Sequence, residues 1–179
     1  MYRITQLNRL NRRIFHTNDL AVLWNIKDRH HLHVTISRYI ARGILFPVYK
    51  GLYATVPISD LDHIELGSAI IHRFTYLSTE SILVQAGVIT QVVYDQTFIS
   101  DQSKRVQVGT RSFRYRQMKD DYLFNPSGID RHPHGFVATP ERAVADLLYY
   151  NPRYHFDVPE LINFDLVRSL QKEIGYGHG

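Results

Sequence analysis

The 179-residue sequence has no cysteine, a single tryptophan and only two methionines. Disulfides, thiolate nucleophiles and cysteine-bound zinc are therefore excluded. No apolar run approaches the ~20 residues a membrane-spanning helix needs, and no secretory leader opens the chain. The expectation is a protein of the reducing cytoplasm with no membrane partner. The phosphate loop G-x-x-x-x-G-K-[ST], the dinucleotide fingerprint G-x-G-x-x-G and the nucleophile elbow G-x-S-x-G are all missing. Clustered carboxylates are missing too: Asp95, Asp101, Asp120, Asp121, Asp130, Glu141 and Asp146 are scattered. The closest pair, Asp120-Asp121 beside Lys119, would point to opposite faces if it lay on a strand. A metal-dependent nuclease needs such groups to converge, so the expectation is a non-enzyme with no cofactor.

Acidic residues are also scarce in the first third. Residues 1–56 carry nine lysines and arginines against Asp19 and Asp28, a net +7, whereas residues 57–179 carry a net −3. A basic excess confined to one segment suits a polyanion partner for that segment.

What is present there has a recognisable order. Ile4, Leu7 and Leu10 give helical spacing over about residues 2–13, and Ile14-Phe15 reads as an extended link. Thr17 or Asn18 can cap a short helix carrying Leu20, Ala21, Leu23 and Trp24, with Asp19 in its first turn. Asn25 to Lys27 make a turn, Asp28 can cap the next helix, and that helix runs from Arg29 to Arg42. Its Leu32, Ile36, Tyr39 and Ile40 share one face. The other face collects His30, His31, Val34, Ser37 and Arg38, with Arg29 and Arg42 at the ends. Gly43 ends the helix, and Ile44-Leu45 and Leu52-Tyr53-Ala54 read as a hairpin with Lys50-Gly51 near its tip and Pro47 on an edge.

Helix, turn, helix and basic hairpin together predict a winged helix-turn-helix, whose second helix enters the major groove of double-stranded DNA. Arg38, Ser37 and His30 are then the base readers and Val34 meets a thymine methyl. Arg29, Arg42 and Lys50 hold phosphates, and His31 completes the face. The same side chains would also serve as an ordinary solvated face. His30, His31 and His33 do not converge at this spacing, so no metal is expected.

A boundary is expected at Pro57-Ile58-Ser59-Asp60, which separates a domain of residues 1–56 from one of residues 57–179. The second domain reads as mixed α and β, making the fold class α+β. A helix is expected over Leu61–Arg73, another capped by Ser78 and ended by Gly87, and strand at Val92–Tyr94 and Thr97–Ile99. A hairpin turning at Gly109-Thr110 places Phe113 and Tyr115 in alternation with Arg114 and Arg116. With Arg105 and Arg111 these form a basic face, suited to nucleic acid, to an acidic partner, or simply to solvent. Gly135–Ala138 reads as strand. Thr139-Pro140-Glu141 is a strong helix start, and that helix should stop near Asn151-Pro152 with Asp146 in a structural role. A last helix is expected within Val158–Ile174, before a glycine-rich tail that frays.

The winged-helix pattern, Tyr76-Leu77-Ser78-x-x-Ser81, and Val137-Ala138-Thr139-Pro140-Glu141-Arg142-Ala143-x-x-Asp146-Leu147-Leu148-Tyr149 together resemble the AbiEi antitoxins of type IV toxin–antitoxin, or abortive infection, systems. The resemblance covers roughly residues 18 to 150. It implies a bacterial or archaeal transcriptional repressor that binds inverted repeats upstream of its own operon, acting as a monomer or weak dimer. It also implies antagonism of a nucleotidyltransferase toxin, AbiEii, without a stable complex. The N-terminal domain would bind DNA and the C-terminal domain would carry antitoxin activity. The alternatives are a nuclease-like DNA-processing protein targeted by its winged helix, using Asp120 or Asp121, and a partner-binding module using the Arg114/Arg116 face.

Overall fold

Local signals set some helix starts in the computed structural model, which describes residues 2–176. The chain divides into two units, the first ending at Asp62 and the second beginning at His63. Its class is α+β, with helices and two sheets.

The first unit runs α1 (Tyr2–Arg9), β1 (Ile14–His16), α2 (Thr17–Leu23), α3 (Arg29–Ala41), β2 (Phe46–Tyr49) and β3 (Leu52–Ala54). Helix α1 stops four residues before the expected end. Leu10 turns outward at 44% exposure, and Arg12 is drawn off the helix, its Nε donating to Ile14 O and its Nη2 to Asp19. The extended link proves to be a strand, because Ile14–His16 pairs antiparallel with β3. Helix α2 starts at Thr17 rather than after it. The Thr17 amide and hydroxyl both donate to Gly51 O, at 2.9 and 3.1 Å, so its side chain cannot cap. Instead His16 sits at the cap and its amide donates to the Asp19 carboxylate at 2.9 Å.

Asn25 takes a left-handed conformation (φ 51°) between α2 and α3, and the Asp28 carboxylate accepts from His31 N at 2.6 Å. A cap of this kind is worth about 1 kcal/mol. Gly43 ends α3 at φ +68°, a conformation that disfavours other residues. Ile44-Leu45 form the turn that follows, so β2 begins at Phe46 and not at Ile44. The sheet order is β1-β3-β2. Strand β2 is thus an edge, where Pro47 breaks no ladder, and a register shift lies between Pro47 and Tyr49. Leu7, Phe15, Leu20, Trp24, Ile26, Leu32, Ile36 and Leu45 form the core, with Tyr39 stacked obliquely on Trp24. The turn at Ile58–Asp60 belongs here too, since Arg13 Nη1 donates to Asp60 O.

The second unit carries α4 (His63–Ile70), β4 (Tyr76–Leu77), α5 (Glu80–Gln85), β5 (Asp95–Ser100), β6 (Lys104–Val108), β7 (Arg111–Gln117), α6 (Asp120–Leu123), β8 (Ile129–His132), β9 (Gly135–Ala138), α7 (Pro140–Tyr150) and α8 (Phe164–Ile174). Its six-stranded mixed sheet has the order β6-β7-β5-β4-β9-β8. Strands β5 and β7 are parallel, as are β4 and β9, and the remaining neighbours are antiparallel. Helix α4 covers the face bearing Phe98, Phe113 and Tyr115, and the Tyr115 hydroxyl donates to Gly67 O at 2.6 Å. Helices α5 and α7 cover the face bearing Thr97, Ile99 and Tyr76.

Several expectations change here. Residues 92–94 are not strand, and α4 is shorter than expected at both ends. Ser78 does not cap α5: Thr79 holds that position, with φ 52°, and the Ser78 hydroxyl is engaged elsewhere. Asp120 and Asp121 lie in the first turn of α6, not on a strand. The hairpin does turn at Gly109-Thr110, and α7 begins at Pro140 with the Thr139 hydroxyl accepting from Arg142 N at 3.2 Å. The last helix begins later, at Phe164, where Asn163 caps it, and residues 177–179 of the expected fraying tail lie outside the described residues. No helix among the described residues is long and apolar enough to cross a membrane.

Candidate nucleic-acid interface

Helix α3 sorts its side chains by helical geometry. Leu32, Thr35 and Ile36 are buried, while Arg29, His30, His31, Ser37, Arg38 and Arg42 are exposed and Val34 is half-buried. His30, Val34 and Ser37, at i, i+4 and i+7, lie along one outward stripe. Arg38, His31 and Arg42 line one flank of it. Arg29 and His33 line the other flank and turn toward α2, where they border a pocket of about 320 Å³ together with Thr17, Asn18 and Lys27. The structure thus separates Arg29 from the Arg38/Arg42 side.

Lys50 is exposed at the tip of the β2–β3 hairpin. Gly51 beside it has φ +72°, and a Cβ there would lie 3.3 Å from Thr17 Oγ1. The hairpin tip is therefore fastened to the start of α2 by the two bonds from Thr17, which fixes where Lys50 emerges. The first unit carries nine basic side chains against four carboxylates, so α3 and the hairpin stand in a positive field.

In the second unit the chemistry divides between a buried network and an open groove. Arg142 and Asp146 are both 0% exposed, one turn apart on α7. Arg142 uses all five of its N–H donors. Nε donates to Asp146 at 2.8 Å, Nη1 to Asn125 O and Ser127 O, and Nη2 to the Tyr76 hydroxyl and Tyr122 O. Asp146 accepts from Arg142, from Ser78 at 2.7 Å, from Tyr76 at 3.1 Å and from Tyr176. A carboxylate has about four acceptor sites, and here all are taken. Burial alone would lower the Arg142 guanidinium, but Asp146, with Tyr76 and Tyr176, holds it above its ordinary value. Burial first, and Asp146 second, push the Tyr76 and Tyr176 hydroxyls up. The network is closed: every Arg142 N–H and every Asp146 acceptor site is already taken within the unit.

The groove lies on the β6–β7 end of the sheet. Ser112, Arg114 and Arg116 point to the face opposite Phe113 and Tyr115, and Arg105 stands directly across from Arg114 on β6. Arg111 has the parity of Phe113 and so leaves this group. Arg116 pairs with Glu80 and lies over the Tyr150 ring at 5.3 Å, while Arg105 pairs with Asp95 at 2.8 Å. Two depressions of about 710 and 430 Å³ share Arg105 and Arg114, the larger reaching Tyr150 and the smaller Tyr94. Sequence reading passed over both tyrosines, since nothing local places residues 94 and 150 beside the hairpin.

Among the described residues no three His, Asp or Glu side chains gather as metal ligands. No protein-family model and no curated protein matches the chain.

Proposed function

We propose that the protein is a sequence-specific DNA-binding transcriptional autorepressor, with the first unit acting as a winged helix-turn-helix and the whole serving as the antitoxin of a type IV toxin–antitoxin pair. The observation that carries the DNA-binding part is the outer face of α3. His30, Ser37 and Arg38 stand exposed on a helix whose opposite side is packed into the core, and the basic tip at Lys50 closes the same small sheet. A helix so supported can lie in a major groove, with Arg38 and Ser37 at base edges and Lys50 on a phosphate. The pocket between α2 and α3, edged by Lys27 and Arg29, suits a further backbone phosphate. The antitoxin role rests on the resemblance through Arg142 and Asp146.

The test is a titration of the purified protein against its own upstream DNA and a scrambled duplex of equal length, at two salt concentrations. A preference of ~10³-fold or more for the upstream DNA is expected. Arg38→Ala should cost about 1–3 kcal/mol and relax specificity at one position, whereas Lys50→Ala should weaken all sequences alike and flatten the salt slope. Equal, strongly salt-dependent binding to both duplexes would overturn the repressor reading. The antitoxin role is tested by co-expression with a nucleotidyltransferase encoded beside the gene, where restored growth is expected and continued arrest refutes it.

A further inference from the structure

The groove on the second unit has a function of its own, independent of the duplex-binding reading. We propose that it binds single-stranded nucleic acid, with backbone phosphates between Arg105 and Arg114 and unpaired bases against Tyr94.

Two features point there. Arg105 and Arg114 are directly opposite each other across an antiparallel ladder. Like charges so placed repel, and an anion between them removes the repulsion. Asp95 answers Arg105 alone: its two oxygens accept from Arg105 and from the Ser112 hydroxyl. Arg114 forms no ion pair among the described residues, and it lies where the two depressions meet.

The second feature is aromatic. Tyr94 is 84% exposed, with Val92 beside it at 76%, on the wall of the smaller depression. A large ring left in solvent next to a guanidinium with no ion-pair partner is the combination on which unpaired bases stack while their phosphates are tracked. At the other end Tyr150 already carries the Arg116 guanidinium on its face.

A duplex hides its base faces, so the exposed ring favours a single strand. An acidic peptide would use the arginines but not the exposed ring.

The experiment uses the full-length protein and fluorescence anisotropy of a labelled oligouridylate and an oligothymidylate, each about twelve nucleotides long. The wild type should bind both strands. Arg114→Ala and Tyr94→Ala should each weaken this by ~5-fold or more, the lower range for loss of one stacked base. Both side chains are exposed, and unchanged ellipticity will show that the variants are folded. The same variants should hold the upstream duplex as wild type does, and Arg38→Ala should weaken the duplex but keep the strand. Strand binding unaffected by either groove variant would overturn the proposal. So would an equal loss of duplex binding, which would make the groove part of the duplex interface. Displacement by polyglutamate at equal charge would also overturn it, by identifying an acidic protein as the ligand.

Discussion

Replacing Asp146 with alanine removes the counter-charge of a guanidinium that has no exposure at all. Breaking a buried ion pair on one side costs about 3–5 kcal/mol, because the surviving charge stays buried alone. The hydroxyls of Ser78 and Tyr176 lose their acceptor as well, so the upper half of that range is expected. A unit of roughly 115 residues has a total stability of about 6–17 kcal/mol at the usual 0.05–0.15 per residue. The single change therefore removes a large fraction of it. Followed by far-UV ellipticity in urea, a loss of ~4 kcal/mol at a slope of ~2 kcal/mol per molar moves the midpoint down by about 2 M. Arg142→Met should be comparably damaging. The double variant Arg142→Met/Asp146→Leu should recover much of the loss, since no charge is then buried unpaired. A loss below ~1 kcal/mol for Asp146→Ala, or a double variant worse than the two single changes combined, would refute the view that this network locks the unit.

Alkaline titration gives a second check. Burial, the leading cause in each case, holds the Tyr76, Tyr115, Tyr150 and Tyr176 hydroxyls protonated above the ordinary value of 10.0. Unfolded tyrosines ionise near that value, so their contribution is fully present below about pH 10 and is lost as pH rises beyond it. Ultraviolet absorbance should show these four ionising only with unfolding, and ionisation of all twelve tyrosines together near pH 10 with native ellipticity would contradict this. Gly67→Ala drives a Cβ into the Phe98 ring, so the overpacking should cost about 1–3 kcal/mol in thermal unfolding; a neutral result would show that α4 can move away. Asp28→Ala should cost about 1 kcal/mol through loss of the α3 cap, and an unchanged melting temperature would mean that His31 N finds another acceptor.

Signals contained within a few residues were legible. Asp28 before α3, the Thr139-Pro140-Glu141 start of α7 and the Gly109-Thr110 turn all express backbone geometry that their own side chains dictate. So does the split of α3 into a Leu32/Ile36 side and a His30/Ser37 side, which follows from spacing alone. Where a side chain had two possible partners, local reading chose the near one and the fold chose another. Thr17 gives up its cap to bond Gly51, 34 residues away, and Ser78 gives up its cap to bond Asp146, 68 residues away.

The sequence by itself determined the starts of α3 and α7, the Gly109-Thr110 turn, the amphipathic split of α3 and the concentration of positive charge in the first unit, because each depends on neighbours along the chain. Tertiary structure decided that Ile14–His16 is a strand and that Arg111 parts from Arg114. It also gathered Tyr76, Ser78, Arg142, Asp146 and Tyr176 into one sealed network, and set Tyr94 and Tyr150 at the two ends of a basic groove. Those outcomes depend on which strands pair and which buried donors find acceptors, and both are settled only when distant segments compete for the same partners.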